Sequence, residues 1–158
     1  MLPHYIIDGY NVIHAIPSLK KLLTRDAVLA REELIGHVAG LTHRKKFRGT
    51  IVFDGQKPPA EFASARAPIH VVYAAPLSAD EKIKQLIEHA PNRAWLVVIS
   101  SDHEILNFAR VCACTTHTSK YFARMLFETD TGGEEKSDSA GGLSKSQVDE
   151  WLRLFGEL

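Results

Sequence analysis

Short apolar runs that end in polar residues recur along the chain. Four of them are clear: Tyr5 to Ile7 before Asp8, Thr50 to Phe53 before Asp54, Ile69 to Tyr73, and Trp95 to Ile99 before Ser100. Runs of this length, rich in β-branched and aromatic residues, are typical of buried strands. A weaker run from Cys112 to Thr116 predicts a fifth strand.

Segments with helical spacing separate these strands. Apolar residues recur every three or four positions at Leu34, Val38 and Leu41, and again at Ile83, Leu86 and Ile87. Ser78 and Glu81 have the spacing of a capping box, which predicts a helix start just after the third strand. Further helices are predicted from Asp102 to Arg110 and up to about Glu128. Alternating strands and helices predict a three-layer α/β/α domain around a mainly parallel sheet.

The character of the chain changes after residue 129. Residues 130–143 are rich in Gly, Ser, Asp and Glu and have the composition of a flexible linker. Residues 144–158 then predict an amphipathic helix, because Val148, Trp151, Leu152 and Phe155 follow the i, i+3, i+4, i+7 rule. We expect residues 1–129 to form the main domain and this last helix to pack on it.

Composition narrows the class of protein. With 158 residues, 45% of them hydrophobic, the chain fits one domain with its own core. Its formal net charge is zero, so any nucleic-acid binding must come from local clusters of Lys and Arg. Cys112 and Cys114 suit neither a disulfide framework nor a four-ligand zinc site. The chain shows no apolar leader and no membrane-length apolar run, which predicts a soluble, cytoplasmic protein without membrane contact.

Four aspartates are placed to share one edge of the predicted sheet. Asp8 and Asp54 close two strands, Asp102 follows a third, and Asp80 lies in the first turn of a helix on the same side. Each has a structural explanation by itself, as a turn residue or a helix cap. Ligands bind at the carboxyl ends of parallel strands, and a cluster of carboxylates there is best neutralised by a divalent cation. Hard oxygen ligands favour Mg²⁺ or Mn²⁺.

Other polar residues near this edge have two interpretations. Asn11 either caps a helix or turns its amide towards a ligand. Arg31 either reaches the pocket or forms a structural ion pair. Together with Ser101 and Lys120, Asn11 and Arg31 are the candidate substrate-binding residues.

A set of ordered motifs resembles a known family. The run Ile6-Ile7-Asp8-Gly9-Tyr10-Asn11-Val12-Ile13 resembles the opening signature of NYN domains, and in detail that of the YacP-like bacterial branch of the PIN-like nuclease superfamily. Agreement continues in order through four further segments: Ala30 to Leu34, Val52 to Asp54, Ser78 to Asp80, and Ser100 to Asp102. The closing run from Val148 to Phe155 also fits, so the resemblance spans nearly the whole chain.

This resemblance implies a PIN-like fold and a metal-dependent endoribonuclease. The acids of the family fall on Asp8, Asp54, Asp80 and Asp102, with Asp8, Asp80 and Asp102 as metal ligands for Mg²⁺ or Mn²⁺. The implied partner is RNA, in particular messenger RNA, and one characterised relative acts at the ribosome. This sequence has Asp80 followed by Glu81 where many NYN relatives carry paired Asp, so Glu81 is either a further metal ligand or only a helix cap. The oligomeric state is not implied.

Other function classes fit the sequence less well. A haloacid-dehalogenase-type phosphotransferase expects a second Asp two residues after the first, whereas Asp8 is followed by Gly9 and Tyr10. A GxxxxGK[ST] phosphate-binding loop is missing. A receiver-like domain could use Asp54, Ser100 and Lys120, but it leaves Asp80 unexplained. A non-catalytic RNA- or ribosome-binding adaptor with the same fold is the remaining alternative.

Overall fold

Five parallel strands form the central sheet in a computed structural model of the chain, which describes residues 2–58 and 69–128. The strands are β1 (His4–Asp8), β2 (Arg48–Phe53), β3 (Ile69–Tyr73), β4 (Leu96–Ile99) and β5 (Thr115–His117). Their order across the sheet is β3-β2-β1-β4-β5, and each neighbouring pair is parallel. The carboxyl ends of all five strands therefore lie along one edge.

The helices of the described residues cover both faces of this sheet. They are α1 (Gly9–Ala15), α2 (Pro17–Arg25), α3 (Ala27–Lys45), α4 (Ala79–Glu88), α5 (His103–Val111) and α6 (Ser119–Phe127). Helices α1, α2, α3 and α6 share one apolar core, and α4 and α5 share the other. A 3₁₀ turn, Arg93–Trp95, leads into β4. The three-layer α/β/α architecture predicted from the sequence is confirmed.

Strand side chains supply the centre of both cores. In β1, Ile6 faces the core beneath α4 and α5, whereas its neighbour Ile7 faces the core beneath α1 and α3. In β4, Val98 likewise faces the core beneath α4 and α5, and Ile99 faces the core beneath α1 and α3. Consecutive strand residues point to opposite faces, and both faces are buried, which is why the strands read as continuous apolar runs. Each such side chain contributes roughly 1.5–3 kcal/mol of burial energy.

Local capping signals fix where the helices begin. Ser78 accepts a hydrogen bond from the N–H of Glu81, whose carboxylate accepts one from the N–H of Ser78, so the predicted capping box is present. Asp102 caps α5 by accepting hydrogen bonds from the N–H groups of Glu104 and Ile105. Thr118 caps α6 in the same way. These caps begin α4, α5 and α6 at the edge formed by the strand carboxyl ends.

The fifth strand begins later than its sequence suggests. The prediction from Cys112 to Thr116 is wrong at its start, because Cys112 is the C-cap of α5 and its N–H donates to the carbonyl of Phe108. Ala113 then adopts a left-handed conformation with φ 67°, which turns the chain before β5. The predicted linker 130–143 and the predicted helix 144–158 lie outside the described residues.

The order of the strands reverses direction at β1. The chain adds β2 and β3 on one side of β1 and then places β4 and β5 on its other side. In open parallel sheets such a switch point leaves a crevice at the carboxyl ends of the two strands, where ligands bind. Receiver domains have the order 2-1-3-4-5 instead, so the receiver-like alternative does not fit this sheet.

Candidate active site

The crevice between β1 and β4 gathers acidic and hydroxyl side chains. Asp8 is the last residue of β1, and Ser100 follows the last residue of β4. Asp102 caps α5 on one side of the crevice, and Asp80 lies in the first turn of α4. The ends of the two strands at the switch point therefore supply Asp8, Ser100 and Asp102. The start of α4 adds Asp80.

Ser100 joins two of these groups. Its side chain is fully buried, and its hydroxyl donates to Oδ2 of Asp8 at 3.0 Å. The same hydroxyl oxygen accepts a hydrogen bond from the backbone N–H of Asp102, also at 3.0 Å. The carboxylate of Asp8 and the start of α5 are thereby held in fixed relation to each other.

The carboxyl groups of Asp8, Asp80 and Asp102 are close enough to affect one another. The pKa of Asp8 is raised to about 6, mainly by burial. The hydrogen bond from Ser100 opposes this change, and the charges of Asp80 and Asp102 act in the same direction as burial. The pKa of Asp80 is raised by burial and then by the charge of Asp102 and a hydrogen bond with that carboxyl group. Repulsion among three carboxylates is what a bound cation relieves.

Asp54 lies at the same edge but has a different contact. Its Oδ1 accepts a hydrogen bond of 3.0 Å from the N–H of Ala79, the first residue of α4. Asp54 therefore fixes the position of the helix that carries Asp80. Glu81, on the next position of that helix, forms the capping box with Ser78, which agrees with the helix-cap alternative.

Asn11 is bound to neighbouring elements of the site. Its Oδ1 accepts from the N–H of Ser101 at 2.9 Å and from the hydroxyl of Ser119 at 2.6 Å. Asn11 thus connects α1 to the loop after β4 and to the start of α6, and it does not cap its own helix. The predicted substrate-binding residue Ser101 takes part through its backbone.

Arg31 and Lys120, the other predicted substrate-binding residues, have different surroundings. Arg31 is buried in α3, donates to the hydroxyl of Tyr10 at 2.9 Å, and has its guanidinium 6.0 Å from the centre of the Tyr73 ring. These contacts place it among aromatic side chains that follow β1 and end β3. Lys120 is exposed in the first turn of α6, beside Ser119.

The chemistry of the donor set fits a hard divalent cation. Each carboxylate offers two oxygens and about four acceptor sites, so the capping and Ser100 hydrogen bonds leave capacity for a metal. Within residues 2–58 and 69–128, no three acidic, His or Cys side chains are already as close as the ligands of a formed metal site. Asp8, Asp80 and Asp102 would hold the ion, and its charge would offset their mutual repulsion.

The sequence interpretation missed the roles of Ser100 and Ser119. Both are buried, with no exposed side-chain surface, although Ser is more often an exposed residue. The position of Ser100 directly after an apolar strand was a partial signal that its side chain is buried. No sequence pattern indicated that Ser119 would bind Asn11, because 108 positions separate the two residues.

None of the helices in residues 2–58 and 69–128 combines the length and the hydropathy needed to cross a bilayer.

Comparison with known proteins agrees with the fold and the motifs. The family model of the YacP-like NYN domain matches residues 5–153. The crystal structure of Rae1 (YacP) from Bacillus subtilis matches with a TM-score of 0.68 and 25% identity over 79% of this chain and 74% of that chain. A point mutant of the same protein gives a TM-score of 0.66 and 25% identity over 79% of this chain and 75% of that one. No curated protein sequence matches the chain.

The five-stranded parallel sheet with helices on both faces is the PIN-like fold of these structures. NYN domains form part of the PIN-like nuclease superfamily, whose members generally use divalent metals. The match to the family model covers nearly the whole sequence, including the motifs at Asp8, Asp54, Asp80 and Asp102. The chain belongs to the YacP-like NYN domain family.

Proposed function

We propose that this protein is a metal-dependent endoribonuclease that hydrolyses phosphodiester bonds in RNA. The observation that carries the proposal is the convergence of Asp8, Asp80 and Asp102 at the switch point, with pKa values of Asp8 and Asp80 raised by burial and mutual repulsion. Carboxyl groups with a raised pKa that share a crevice are candidates for a functional site. A nuclease of this superfamily needs such a cluster to bind its metal.

The three carboxylates hold Mg²⁺ or Mn²⁺ in this proposal. The ion supplies activation of the attacking water and neutralisation of the charge that develops on the phosphate. Ser100 fixes the orientation of Asp8 through its 3.0 Å hydrogen bond, and Asp54 fixes the start of α4 and so the position of Asp80. Asp54 acts as a positioning residue through the backbone of Ala79.

Substrate binding is assigned to residues around the same edge. Lys120 is exposed in the first turn of α6 and offers its charge to the RNA backbone. Asn11 and Ser101 shape the wall between α1 and α5 through their hydrogen bond. Arg31 supports Tyr10, whose hydroxyl accepts its hydrogen bond. We further propose messenger RNA at the ribosome as the substrate, supported by the resemblance to the YacP-like branch.

The test is a cleavage assay with end-labelled single-stranded RNA and with translating ribosomes. Each substrate is incubated with the full chain in Mg²⁺, in Mn²⁺ and in EDTA. We expect cleavage in at least one of the two metals, none in EDTA, and loss of cleavage in the Asp8→Asn, Asp80→Asn and Asp102→Asn variants. Two substrates are required because a nuclease that acts on the ribosome can be inactive on free RNA.

Glu81→Gln is the matched control. Glu81 is a carboxylate next to Asp80 on the same helix turn, but it accepts a hydrogen bond from the N–H of Ser78. We expect this variant to keep cleavage. RNA binding without cleavage on either substrate, unchanged by Asp8→Asn, would contradict the nuclease and support the adaptor alternative.

A further inference from the structure

Positive charge is concentrated along the exposed face of α6. Residues 105–127 contain Arg110, Lys120 and Arg124 but no Asp or Glu, in a chain whose formal net charge is zero. Lys120 and Arg124 are both exposed and lie four residues apart, so they share the outer face of the helix. In the part of the chain that the structure describes, neither of them forms an ion pair. A protein without net charge needs a local cluster of this kind to bind nucleic acid.

This face of α6 begins at the edge that carries the carboxylates. Ser119, the first residue of the helix, is fully buried and donates its hydroxyl hydrogen to Asn11 at 2.6 Å. Lys120 is the next residue, so its charge lies beside the site. A cation in the first turn of a helix opposes the helix dipole, so Lys120 does not serve the stability of α6 there.

An exposed aromatic ring lies next to these cations. Tyr121 is 46% exposed, and its ring contacts the ring of His117 with the two centres 4.6 Å apart. His117 ends β5, and its carbonyl accepts a hydrogen bond of 3.2 Å from the N–H of Ser100, which holds the ring pair near the carboxylates. Burial lowers the pKa of His117, so its ring is uncharged at neutral pH. Exposed aromatic rings of this kind are stacking surfaces for unpaired bases.

Further cations lie at the other end of α6. The guanidinium group of Arg44 donates a hydrogen bond of 3.4 Å to the carbonyl of Leu126. Arg44, Lys45 and Lys46 are all exposed at the end of α3. Positive charge therefore continues from the carboxylate edge, along α6, to the end of α3.

We propose that single-stranded RNA lies along α6, with a base stacked on Tyr121 and backbone phosphates bound by Lys120 and Arg124. The proposal rests on the proposed nuclease function, from which it takes RNA as the ligand, and it adds the path by which the strand leaves the carboxylates. Lys120 and Arg124 are about 6 Å apart along the helix axis, a separation that adjacent phosphates of an extended strand can match. Tyr121 selects single strands, because a duplex hides the faces of its bases.

The stacking contact is tested by the affinity of the full chain for labelled single-stranded RNA, measured by fluorescence anisotropy in EDTA, where no cleavage is expected. Tyr121→Ala should weaken binding by about 5- to 150-fold, the usual loss for one stacked base. Tyr121→Phe should bind as the unsubstituted chain does, because it keeps the ring. Trp95→Ala is the matched control, since Trp95 is 41% exposed but directly precedes β4, at the opposite edge of the sheet.

The phosphate contacts are tested by the dependence of the same affinity on salt. Lys120→Ala and Arg124→Ala should each lower the slope of log affinity against log salt concentration by about 0.7, since each variant loses one phosphate contact. Tyr121→Ala should keep the slope, because a stacked base releases no counterions. Arg110→Ala is the control and should also keep it, since Arg110 is exposed in the last turn of α5, on the other face of the sheet. An unchanged midpoint of urea unfolding shows that each variant is folded.

Three results would overturn the proposal. The first is equal affinity of Tyr121→Ala and Trp95→Ala, and the second is an equal salt slope in Lys120→Ala and Arg110→Ala. The third is a loss of affinity for ribosomes in these variants without a loss for free RNA, which would assign the face of α6 to a protein partner. RNA that binds along α6 but is never cleaved would refute the nuclease and keep this inference. Cleavage with an unchanged KM in Tyr121→Ala and Lys120→Ala would do the reverse.

Discussion

Replacing Asp8 by Asn should stabilise the metal-free protein at neutral pH while it removes activity. The pKa of Asp8 rises from its usual 3.8 to about 6 in the folded protein. A difference of about two pKa units corresponds to about 3 kcal/mol at 1.36 kcal/mol per unit. The folded protein is destabilised by this amount at pH values above about 6, where Asp8 is ionised in both the folded and the unfolded protein. The cost disappears below the unfolded pKa, where Asp8 is protonated in both states.

Urea unfolding in EDTA, followed across the range from about pH 4 to about pH 8, measures this effect. The free energy of unfolding of Asp8→Asn should exceed that of the unsubstituted protein by about 3 kcal/mol at neutral pH and by little at the acid end. Asp26→Asn is the control, because Asp26 is an exposed N-cap and Asn caps helices equally well. A difference that does not change with pH, or a variant that is less stable at neutral pH, would refute the reasoning.

Metal should reverse the order of stability of the two proteins. Mg²⁺ or Mn²⁺ stabilises whichever folded protein binds it, in proportion to the logarithm of its concentration above the dissociation constant. We expect the midpoint of urea unfolding to rise with added metal for the unsubstituted protein and to stay nearly constant for Asp8→Asn. Equal increases in both would show that Asp8 does not contribute to metal binding.

Four further outcomes are expected. Ser100→Ala should lower the rate of RNA cleavage by about 10- to 100-fold, because the hydroxyl that orients Asp8 is lost. Asn11→Ala should lower the free energy of unfolding in urea by about 1–3 kcal/mol, because two donors lose their acceptor, whereas Asn11→Asp keeps it. Gly9→Ala should cost about 1–3 kcal/mol in the same assay, since its Cβ would clash with Cε1 of Phe53. Metal affinity measured by calorimetry should fall as the pH drops below about 6, where Asp8 gains a proton.

The sequence by itself determined the elements and the edge on which the site lies. Apolar residues are spaced differently in strands and in helices, so the local sequence indicates the type of element. The strand at Tyr5 to Ile7 and the helix at Leu34 to Leu41 were both predicted in this way. Capping is also local: Ser78 and Glu81 lie three residues apart, and their spacing alone located the start of α4. A parallel sheet requires its strand ends to meet at one edge, so the positions of Asp8 and Asp102 along the chain were enough to predict that they lie together.

Tertiary structure alone decided the strand order and which side chains meet. Local periodicity does not encode whether β4 pairs with β1 or with β3, since that choice depends on how whole faces pack. The hydrogen bond from Ser100 to Asp8 joins residues 92 positions apart, and the raised pKa of Asp8 follows from burial that only the folded chain creates. The start of β5 differed from its prediction because Ala113 takes up a left-handed turn, a backbone state that the apolar run around it does not signal.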